Sequence, residues 1–94
     1  MDIKFEWDIA KEASNIQKHN VNFVVAALVF NDPKRVVFLD EKHGHHERRM
    51  FCVGIVNSRI LTVRFVMRGE RVRIIGAGYW RKGAKYYEEE NGAH

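Results

Sequence analysis

The clearest hydrophobic pattern in the sequence lies between Ile60 and Ala77, where two apolar runs are separated by Gly69-Glu70. Both runs are rich in β-branched and aromatic residues, and both alternate in polarity with a period of two, which is typical of half-buried strands. A two-residue turn between them predicts a β-hairpin whose register the turn fixes. The predicted pairs are Arg68 with Arg71, Met67 with Val72, Val66 with Arg73, Phe65 with Ile74, Arg64 with Ile75 and Val63 with Gly76.

Arginines collect on one face of this predicted hairpin, because side chains two residues apart point to the same side of a strand. They are Arg64, Arg68, Arg71 and Arg73. Like charges on directly opposed residues repel one another, so such a cluster calls for an explanation. Two interpretations stay open: a solvated face whose arginine stems cover apolar surface, and a binding face for phosphate groups. We call this surface the arginine face.

The preceding strand extends the arginine face. A turn at Asn57-Ser58 joins the predicted strand Arg49–Val56 to the hairpin. Its predicted pairs are Ile55 with Ile60, Cys52 with Val63, Met50 with Phe65, Phe51 with Arg64 and Arg49 with Val66. Two independent turns therefore place arginines on the same side of the sheet.

Helical periodicity flanks the strands. Asp8 and Asn22 are predicted N-caps of two N-terminal helices, and Asn20 is a predicted left-handed stop after the first. The first helix carries apolar residues at helical spacing (Ile9, Ala13 and Ile16), and the second turns Phe23, Ala26, Ala27 and Phe30 inward before Asn31-Asp32-Pro33 ends it. The other predicted elements are the strands Ile3–Trp7 and Val36–Asp40 and a C-terminal helix from Arg81 to Glu90.

The order of these elements is β-α-α-β-β-β-β-α, which predicts an α+β fold in a single domain over residues 1–94. We expect an antiparallel sheet of four to five strands, with the two N-terminal helices packed on one face and a C-terminal helix. In this arrangement the helices cover the apolar face of the sheet and leave the arginine face open to a ligand.

Composition indicates the charge of a suitable partner and the cellular compartment. The net charge of +4 and the isoelectric point of about 9.5 suit a nucleic-acid or an acidic protein partner. Cys52 is the only cysteine, so no internal disulfide can form, and its apolar strand predicts a small core residue rather than a nucleophile. No membrane segment is visible, and we expect a cytoplasmic protein.

Three histidines in the predicted loop Glu41–Glu47 raise the question of a metal site. They are His43, His45 and His46. Structural zinc sites usually use four ligands at helix or hairpin spacing, whereas His43 and His45 are two residues apart in a loop with no cysteine and only Glu41 or Glu47 nearby. We expect a solvated loop, no metal site and no cofactor.

The chain resembles the BrnT family of bacterial toxins over nearly its whole length, from Phe5 to about Glu88. The first half of the resemblance rests on Phe5-Glu6-Trp7-Asp8 with Lys11 and Asn15, on Lys18-His19-Asn20-Val21 with Phe23 and Ala26, and on Val29-Phe30-Asn31-Asp32-Pro33. The second half rests on Glu47-Arg48-Arg49, on Gly54 three residues after Phe51, and on Gly69-Glu70-Arg71-Val72-Arg73-Ile74-Ile75. The family is similar in fold to RelE-type ribonucleases.

The resemblance implies a ribonuclease toxin of a type II toxin–antitoxin pair. It also implies a BrnA-type antitoxin that neutralises the toxin by covering the basic face, with operator DNA bound only through that antitoxin. Many members follow the last strand with Ser-Ala-Arg, whereas the matching residues here are Gly76-Ala77-Gly78. Arg81 substitutes for the absent arginine, or the protein cleaves poorly; both interpretations stay open.

Metal-free RNA cleavage requires a group that takes the proton of the 2′-hydroxyl, cations that stabilise the phosphorane, and an acid for the leaving 5′-oxygen. Arginine suits the second role because its planar fork matches phosphate oxygens, and histidine can exchange a proton near neutral pH. The candidate catalytic residues are Arg64, Arg73, Lys18, His19, Glu47 and Arg81. The candidate RNA-binding residues are Arg48, Arg49, Arg68, Arg71, Lys82 and Trp80, with Phe51 and Tyr79 as further stacking candidates.

Simpler roles compete with several of these assignments. Lys18 and His19 also suit the negative end of a helix dipole, and Glu47 can form an ordinary ion pair with Arg48. Trp80 can anchor the C-terminal helix instead of stacking on a base. Two functions besides a metal-independent endoribonuclease toxin therefore remain: a catalytically weak homologue that mainly binds its antitoxin, and a general nucleic-acid binder.

Overall fold

A computed structural model describes residues 2–42 and 47–92 of the chain. It contains the elements that the sequence predicts, in the predicted order. They are β1 (Lys4–Trp7), α1 (Ile9–His19), α2 (Phe23–Ala27) with a 3₁₀ turn (Leu28–Asn31), β2 (Val36–Leu39), β3 (Arg49–Val56), β4 (Arg59–Arg68), β5 (Arg71–Gly78) and α3 (Arg81–Asn91). The predicted α+β class, with two N-terminal helices and a C-terminal helix, is confirmed.

The predicted helix caps also form. The Asp8 carboxylate accepts hydrogen bonds from the first-turn N–H groups of Ala10 and Lys11, at 2.7 and 3.2 Å. Asn22 accepts one from Val25 N–H at 2.8 Å. Asn20 ends α1 in the left-handed region, with φ of 58°. These side chains satisfy amide groups that a helix end leaves without intrahelical partners.

Five strands form one sheet in the order β1-β5-β4-β3-β2. Neighbouring strands from β2 to β5 are antiparallel, as predicted, but β1 pairs with β5 in parallel, so the sheet is mixed. Apolar and charged residues alternate in β1, and its apolar side chains Phe5 and Trp7 are partly buried and pack against the core. This alternation is compatible with either pairing direction, because either direction buries the same residues.

The register of the central hairpin agrees with prediction at its turn end and differs beyond it. Phe65 pairs with Ile74, and the residues nearer the turn also have their predicted partners. A β-bulge then leaves Ile75 as an extra residue, so that Arg64 pairs with Gly76, and Val63 with Ala77. The predicted pairs Arg64–Ile75 and Val63–Gly76 are therefore wrong. Because a bulge shifts the alternation by one residue, Gly76 and Gly78 lie on the arginine face and Ala77 on the other.

The second hairpin has its predicted register throughout. Asn57 and Ser58 both have positive φ, 51° and 68°, which is the geometry of the tight turns that match strand twist. Arg49 pairs with Val66, and Phe51 with Arg64. The arginine face therefore carries Arg49, Arg64, Arg68, Arg71 and Arg73, as the two turns predicted.

The hydrophobic core lies on the opposite face, beneath α2 and the 3₁₀ turn. Phe23 and Ile74 are fully buried, and the ring of Phe30 meets those of Phe5 and Phe65 edge to face, at centroid distances of 5.2 and 5.3 Å. Cys52 is buried in the same cluster, and burial raises the pKa of its thiol to about 12. This agrees with a core residue rather than a nucleophile.

The buried residue of α1 is not one of the apolar residues that its helical pattern would place toward the core. Ile9 is 80% exposed, and Ala13 and Ile16 are also exposed, whereas Asn15 is buried. The Asn15 side chain donates to the carbonyls of Val21 and Ala77, both at 2.9 Å, and accepts from Ala77 N–H at 3.0 Å. The end of β5 extends past its pairing with β1, and Asn15 supplies the hydrogen bonds that a neighbouring strand would give.

Helix α3 packs on the arginine face, which corrects the expectation that this face is wholly open. Its Tyr86 ring stacks on Phe38 at 4.3 Å. A Cβ atom built on Gly83 would lie 1.8 Å from Oγ1 of Thr62, so the helix backbone rests directly on β4. The five arginines of this face remain partly or fully exposed. No helix in residues 2–42 and 47–92 is long and apolar enough to cross a membrane.

Candidate active site

Two adjoining cavities lie on the arginine face between α1 and α3. The first has a volume of about 330 Å³ and is lined by His19, Phe38, Phe51, Thr62, Arg64, Trp80, Lys82 and Gly83. The second has a volume of about 260 Å³ and is lined by Lys11, Ser14, Asn15, Lys18, His19, Arg49, Arg64 and Ile75. His19 and Arg64 belong to both, so these two side chains stand where the cavities meet.

Arg64 is the central cation of this site. The bulge places Gly76 opposite it, and a Cβ atom on Gly76 would lie 3.2 Å from the nearest guanidinium nitrogen. The guanidinium carbon is 5.9 Å from the ring centroid of Trp80. Within the described part of the chain, no carboxylate forms a salt bridge with Arg64. Its charge is therefore available to a ligand.

The arginines nearer the hairpin turn are paired with carboxylates instead. Arg68 holds Glu47 in a two-pronged ion pair, with Nε–Oε2 and Nη2–Oε1 distances of 2.6 and 2.9 Å. The hydrogen bond from Arg68 lowers the pKa of Glu47, which weakens Glu47 as a proton acceptor near neutral pH. Arg73 donates to Glu6 at 2.8 Å, and Arg71 lies 4.0 Å from the same carboxylate.

One face of α1 forms a wall of the site. Lys11, Ser14 and Lys18 share one helix face, because they are separated by three and four residues. The ring of His19 meets Trp80 edge to face, with the centroids 5.3 Å apart. No acidic side chain of the described residues lines either cavity. The charged side chains that line the two cavities are therefore all basic, which suits a ligand that carries phosphate groups.

Trp80 occupies the space above Gly78, the residue that stands where the resemblance places an arginine. A Cβ atom on Gly78 would lie 2.6 Å from Cε2 of Trp80, so the indole rests directly on the backbone. Trp80 is also the N-cap of α3, without a side-chain capping bond, and the first turn of α3 contains no acidic residue. It thus contacts the end of β5, the start of α3 and the end of α1.

The structure brings six of the candidate residues to the two cavities. They are Lys18, His19, Arg49, Arg64, Trp80 and Lys82. The other six line neither cavity: Glu47, Arg68, Arg71 and Arg73 form the ion pairs above, and Arg48 and Arg81 are exposed. The catalytic and RNA-binding roles of all twelve stay predictions.

Some residues of the site were not among the candidates. Lys11 and Ser14 carried a sequence signal, since they share the face of Lys18 at helical spacing. Thr62 carried a weaker one, two residues before Arg64 on the same strand. Phe38 had none, because its place beside Phe51 depends on how β2 pairs with β3.

No group of three or more histidine, cysteine or carboxylate side chains that could hold a metal occurs in the described segments. The loop histidines at positions 43, 45 and 46, for which we expect no metal site, lie outside those segments.

The fold and the cavities together define a small α+β protein with a cationic, partly aromatic candidate binding site on its sheet. The sequence model of a family described as "Ribonuclease toxin, BrnT, of type II toxin-antitoxin system" matches residues 7–83, and the chain belongs to this family. A search of curated proteins found no match. The family consists of ribonuclease toxins, and a type II system implies an antitoxin partner.

Proposed function

We propose that this protein is a metal-independent endoribonuclease toxin that cleaves RNA at the junction of the two cavities and thereby inhibits translation. The single observation that carries the proposal is the charge distribution of the arginine face. Arg64 lies among Lys11, Lys18, Arg49 and Lys82 with no lining carboxylate, whereas the arginines nearer the turn are paired. A phosphodiester would supply the negative charge that this site lacks.

Arg64 is the residue we assign to transition-state stabilisation. Attack of the 2′-oxygen on phosphorus adds negative charge to the phosphoryl oxygens, and a guanidinium fork stabilises that charge by bidentate hydrogen bonds. Arg49 lines the second cavity with Arg64 and adds to the positive potential there. Family membership supports this assignment, since the family comprises ribonucleases.

Proton transfer is assigned to the end of α1, where His19 and Lys18 line the cavity that also contains Arg64. One group takes the proton of the 2′-hydroxyl as the 2′-oxygen bonds to phosphorus. The P–O5′ bond then breaks, and the 5′-oxygen takes a proton from a second group. The products are a 2′,3′-cyclic phosphate and a 5′-hydroxyl. Because neither cavity is lined by a carboxylate, the cations take the place that a metal ion has in two-metal nucleases.

The antitoxin would neutralise the toxin by covering this site. We propose a BrnA-type partner that presents acidic side chains to the cavities and carries the operator-binding domain, so that the toxin meets DNA only through its antitoxin. Covering Arg64 would exclude RNA by direct competition. The net charge of +4 favours fast association with such an acidic surface.

A second candidate function follows from Gly78 and Trp80. Where many family members have an arginine, this chain has a glycine, and the Trp80 indole fills the adjacent space. The site would then contain one cation fewer, and the protein would act mainly by binding its antitoxin.

Cleavage of a labelled RNA by the purified protein in excess EDTA tests the proposal. We expect cutting that persists in EDTA, products that end in a 2′,3′-cyclic phosphate, and no cutting of a strand with 2′-deoxyribose throughout. Arg64→Ala should slow cleavage at least about 100-fold, the usual loss when one transition-state donor is removed. Arg59→Ala is the matched control, because Arg59 packs over Tyr79 and lines neither cavity.

Two results would contradict the proposal. Cleavage that stops in EDTA and returns when a divalent cation is added would contradict the metal-free mechanism and indicate a metal-dependent one. No cleavage by the wild type under any condition, together with no growth arrest when it is expressed without a partner, would favour the antitoxin-binding role.

A further inference from the structure

Two buried polar side-chain atoms in the described residues have no hydrogen-bond partner, and both belong to residues that line the first cavity. They are Oγ1 of Thr62 and Nε of Arg64. Buried polar atoms are nearly always paired, because an unpaired one loses its hydration without compensation. Two such atoms on residues that line one cavity indicate groups that a ligand can satisfy.

Thr62 lies at the inner end of that cavity. Its side chain is on the arginine face of β4, two residues before Arg64, and the residue is only 2% exposed. The first turn of α3 lies on top of it, because a Cβ atom on Gly83 would be 1.8 Å from the hydroxyl oxygen. A threonine hydroxyl can both donate and accept a hydrogen bond, whereas the Nε–H of an arginine only donates.

The walls of the same cavity are aromatic. Phe51 and Trp80 line it, and Phe38 stacks on Phe51 with ring centroids 5.0 Å apart and planes inclined by 26°. Its volume of about 330 Å³ lies at the small end of the usual range for ligand sites, about 300–1,000 Å³. Flat apolar walls, a polar inner end and a cationic rim are the features that single-stranded nucleic-acid sites present to one base and its phosphate.

We infer that the first cavity is a nucleobase pocket and that Thr62 is its specificity-determining residue. The inference rests on the proposed function, since it places the base beside the phosphate that Arg64 holds. The base packs against Phe51 and Trp80, and its polar edge meets the Thr62 hydroxyl and the Arg64 Nε–H. The protein therefore prefers one base next to the cleaved bond.

An apolar side chain from a protein partner fits these observations less well. It would fill the aromatic part of the cavity but leave the Thr62 hydroxyl and the Arg64 Nε–H unpaired. A free phosphate would satisfy Arg64 and leave the aromatic walls empty. A nucleotide satisfies both parts at once.

Nucleotide binding can be measured without any cleavage. In a Trp7→Phe background, Trp80 is the only tryptophan and reports directly on the pocket. We would titrate this protein with AMP, GMP, CMP and UMP, and with ribose 5-phosphate and inorganic phosphate as ligands without a base. The expected result is that one nucleotide binds at least tenfold more tightly than ribose 5-phosphate, because stacking on aromatic side chains strengthens binding by about that factor or more.

Thr62→Val and Thr62→Ser form the matched pair of variants. Valine keeps the shape and removes the hydroxyl. We expect Thr62→Val to bind the preferred nucleotide about three- to tenfold more weakly and to bind the four nucleotides with similar affinities. Serine keeps the hydroxyl and should keep the preference. Because the lost hydroxyl has no partner in the fold, Thr62→Val should unfold at the same or a higher urea concentration than the wild type.

The outcomes separate this inference from the proposed function. Base-selective nucleotide binding without RNA cleavage would support the pocket and contradict the endoribonuclease. RNA cleavage whose cut positions are identical in wild type and Thr62→Val would contradict the pocket and leave the endoribonuclease in place. Ribose 5-phosphate or inorganic phosphate binding as tightly as every nucleotide would also overturn the inference.

Discussion

The guanidinium of Arg73 donates a 2.8 Å hydrogen bond to the carboxylate of Glu6, its partner across β1 and β5. This pair divides arginines that the sequence places on one face into two groups. Arg73 is held by a carboxylate, and Arg64 faces a cavity without one. Under the proposed function, Arg64 would contact the substrate and Arg73 would have a structural role.

We expect Arg64→Ala and Arg73→Ala to differ in activity. Arg64→Ala should lower the rate of RNA cleavage at least about 100-fold. Arg73→Ala should lower it less than about tenfold, because the charge of Arg73 is already paired and partly screened in the wild type. Single-turnover cleavage assays at equal protein concentration measure both. Glu6→Gln is the informative control, since it releases Arg73 without deleting it. Equal losses for the two arginine variants would show that Arg73 acts directly on the substrate.

Packing of Trp80 on Gly78 predicts a steric penalty. Gly78→Ala should destabilise the fold by about 1–3 kcal/mol, because its Cβ atom requires the indole to move. The same substitution in a Trp80→Ala background should cost much less. Urea unfolding of the four proteins in this double-mutant cycle measures the coupling between the two positions. Additive effects would mean that the indole does not rest on Gly78 in solution.

Asn15 is predicted to be a major stabilising residue despite its polarity. Asn15→Ala leaves the N–H and C=O of Ala77 and the C=O of Val21 unpaired in a buried region, and should cost about 3 kcal/mol or more. Gln17→Ala, an exposed position on the same helix, should change stability by less than about 0.5 kcal/mol. Chemical denaturation tests both. A small effect at Asn15 would contradict the hydrogen bonding described at the end of β5.

The hydrogen bond from Tyr87 to Asp32, 2.6 Å long, joins α3 to the segment after α2 and predicts a pH dependence. Burial opposes the charge of Asp32, but hydrogen bonds from Tyr87 and from the backbone of Ile55 and Lys34 lower its pKa below 3.8. A lowered pKa in the folded state stabilises the protein above the unfolded value, and this contribution is lost as the pH falls through the folded value. Tyr87→Phe should cost about 1.5–3 kcal/mol at pH 7 and less below pH 3.8.

The same hydrogen bond predicts a second pH dependence, at alkaline pH, that can be measured independently. Burial and the hydrogen bond to Asp32 raise the pKa of Tyr87 from 10.0 to about 12. This stabilisation is complete below pH 10 and is lost as the pH rises to about 12. The stability difference between wild type and Tyr87→Phe should therefore narrow in both directions from neutral pH. A constant difference across the whole range would contradict the bond.

Cys52 should be chemically inert in the folded protein. Its thiol is fully buried, and its pKa of about 12 leaves almost no thiolate near neutral pH. We expect no reaction with iodoacetamide at pH 8 on a timescale that labels a free thiol completely, and full labelling in urea. Mass spectrometry of the intact protein gives the result. Rapid labelling of the native protein would mean that β3 opens readily.

Local chemistry accounts for most of the fold that the sequence predicts. The pairing of Phe65 with Ile74 follows from alternation and turn length, and the caps at Asp8 and Asn22 follow from side chains that satisfy helix N–H groups. The bulge at Ile75 was missed because Ile75 and Gly76 both fit an apolar strand, and alternation alone does not reveal an extra residue.

The parts of the site that depend on distant segments could not be predicted. The pairing of Arg73 with Glu6 requires β1 to lie beside β5, and the enclosure of Thr62 requires α3 to cross the arginine face. Asn15 was missed as a buried residue because a polar side chain in a helix is usually exposed. The sequence did not predict that six of the candidate residues line two adjoining cavities: Lys18, His19, Arg49, Arg64, Trp80 and Lys82.

The bulge in β5 also bears on how the lengths of related chains can vary. Residues before Ile75 and residues after it alternate in opposite phase, so each half of the strand follows its own pattern. A chain without Ile75 could form an uninterrupted ladder and still place Gly76 beside Arg64 and Ala77 in the core. A deletion near the turn would instead exchange the two faces for every residue between that point and the bulge. A deletion of one residue at this position of β5 is therefore compatible with the fold. Related sequences are best aligned separately before and after the bulge.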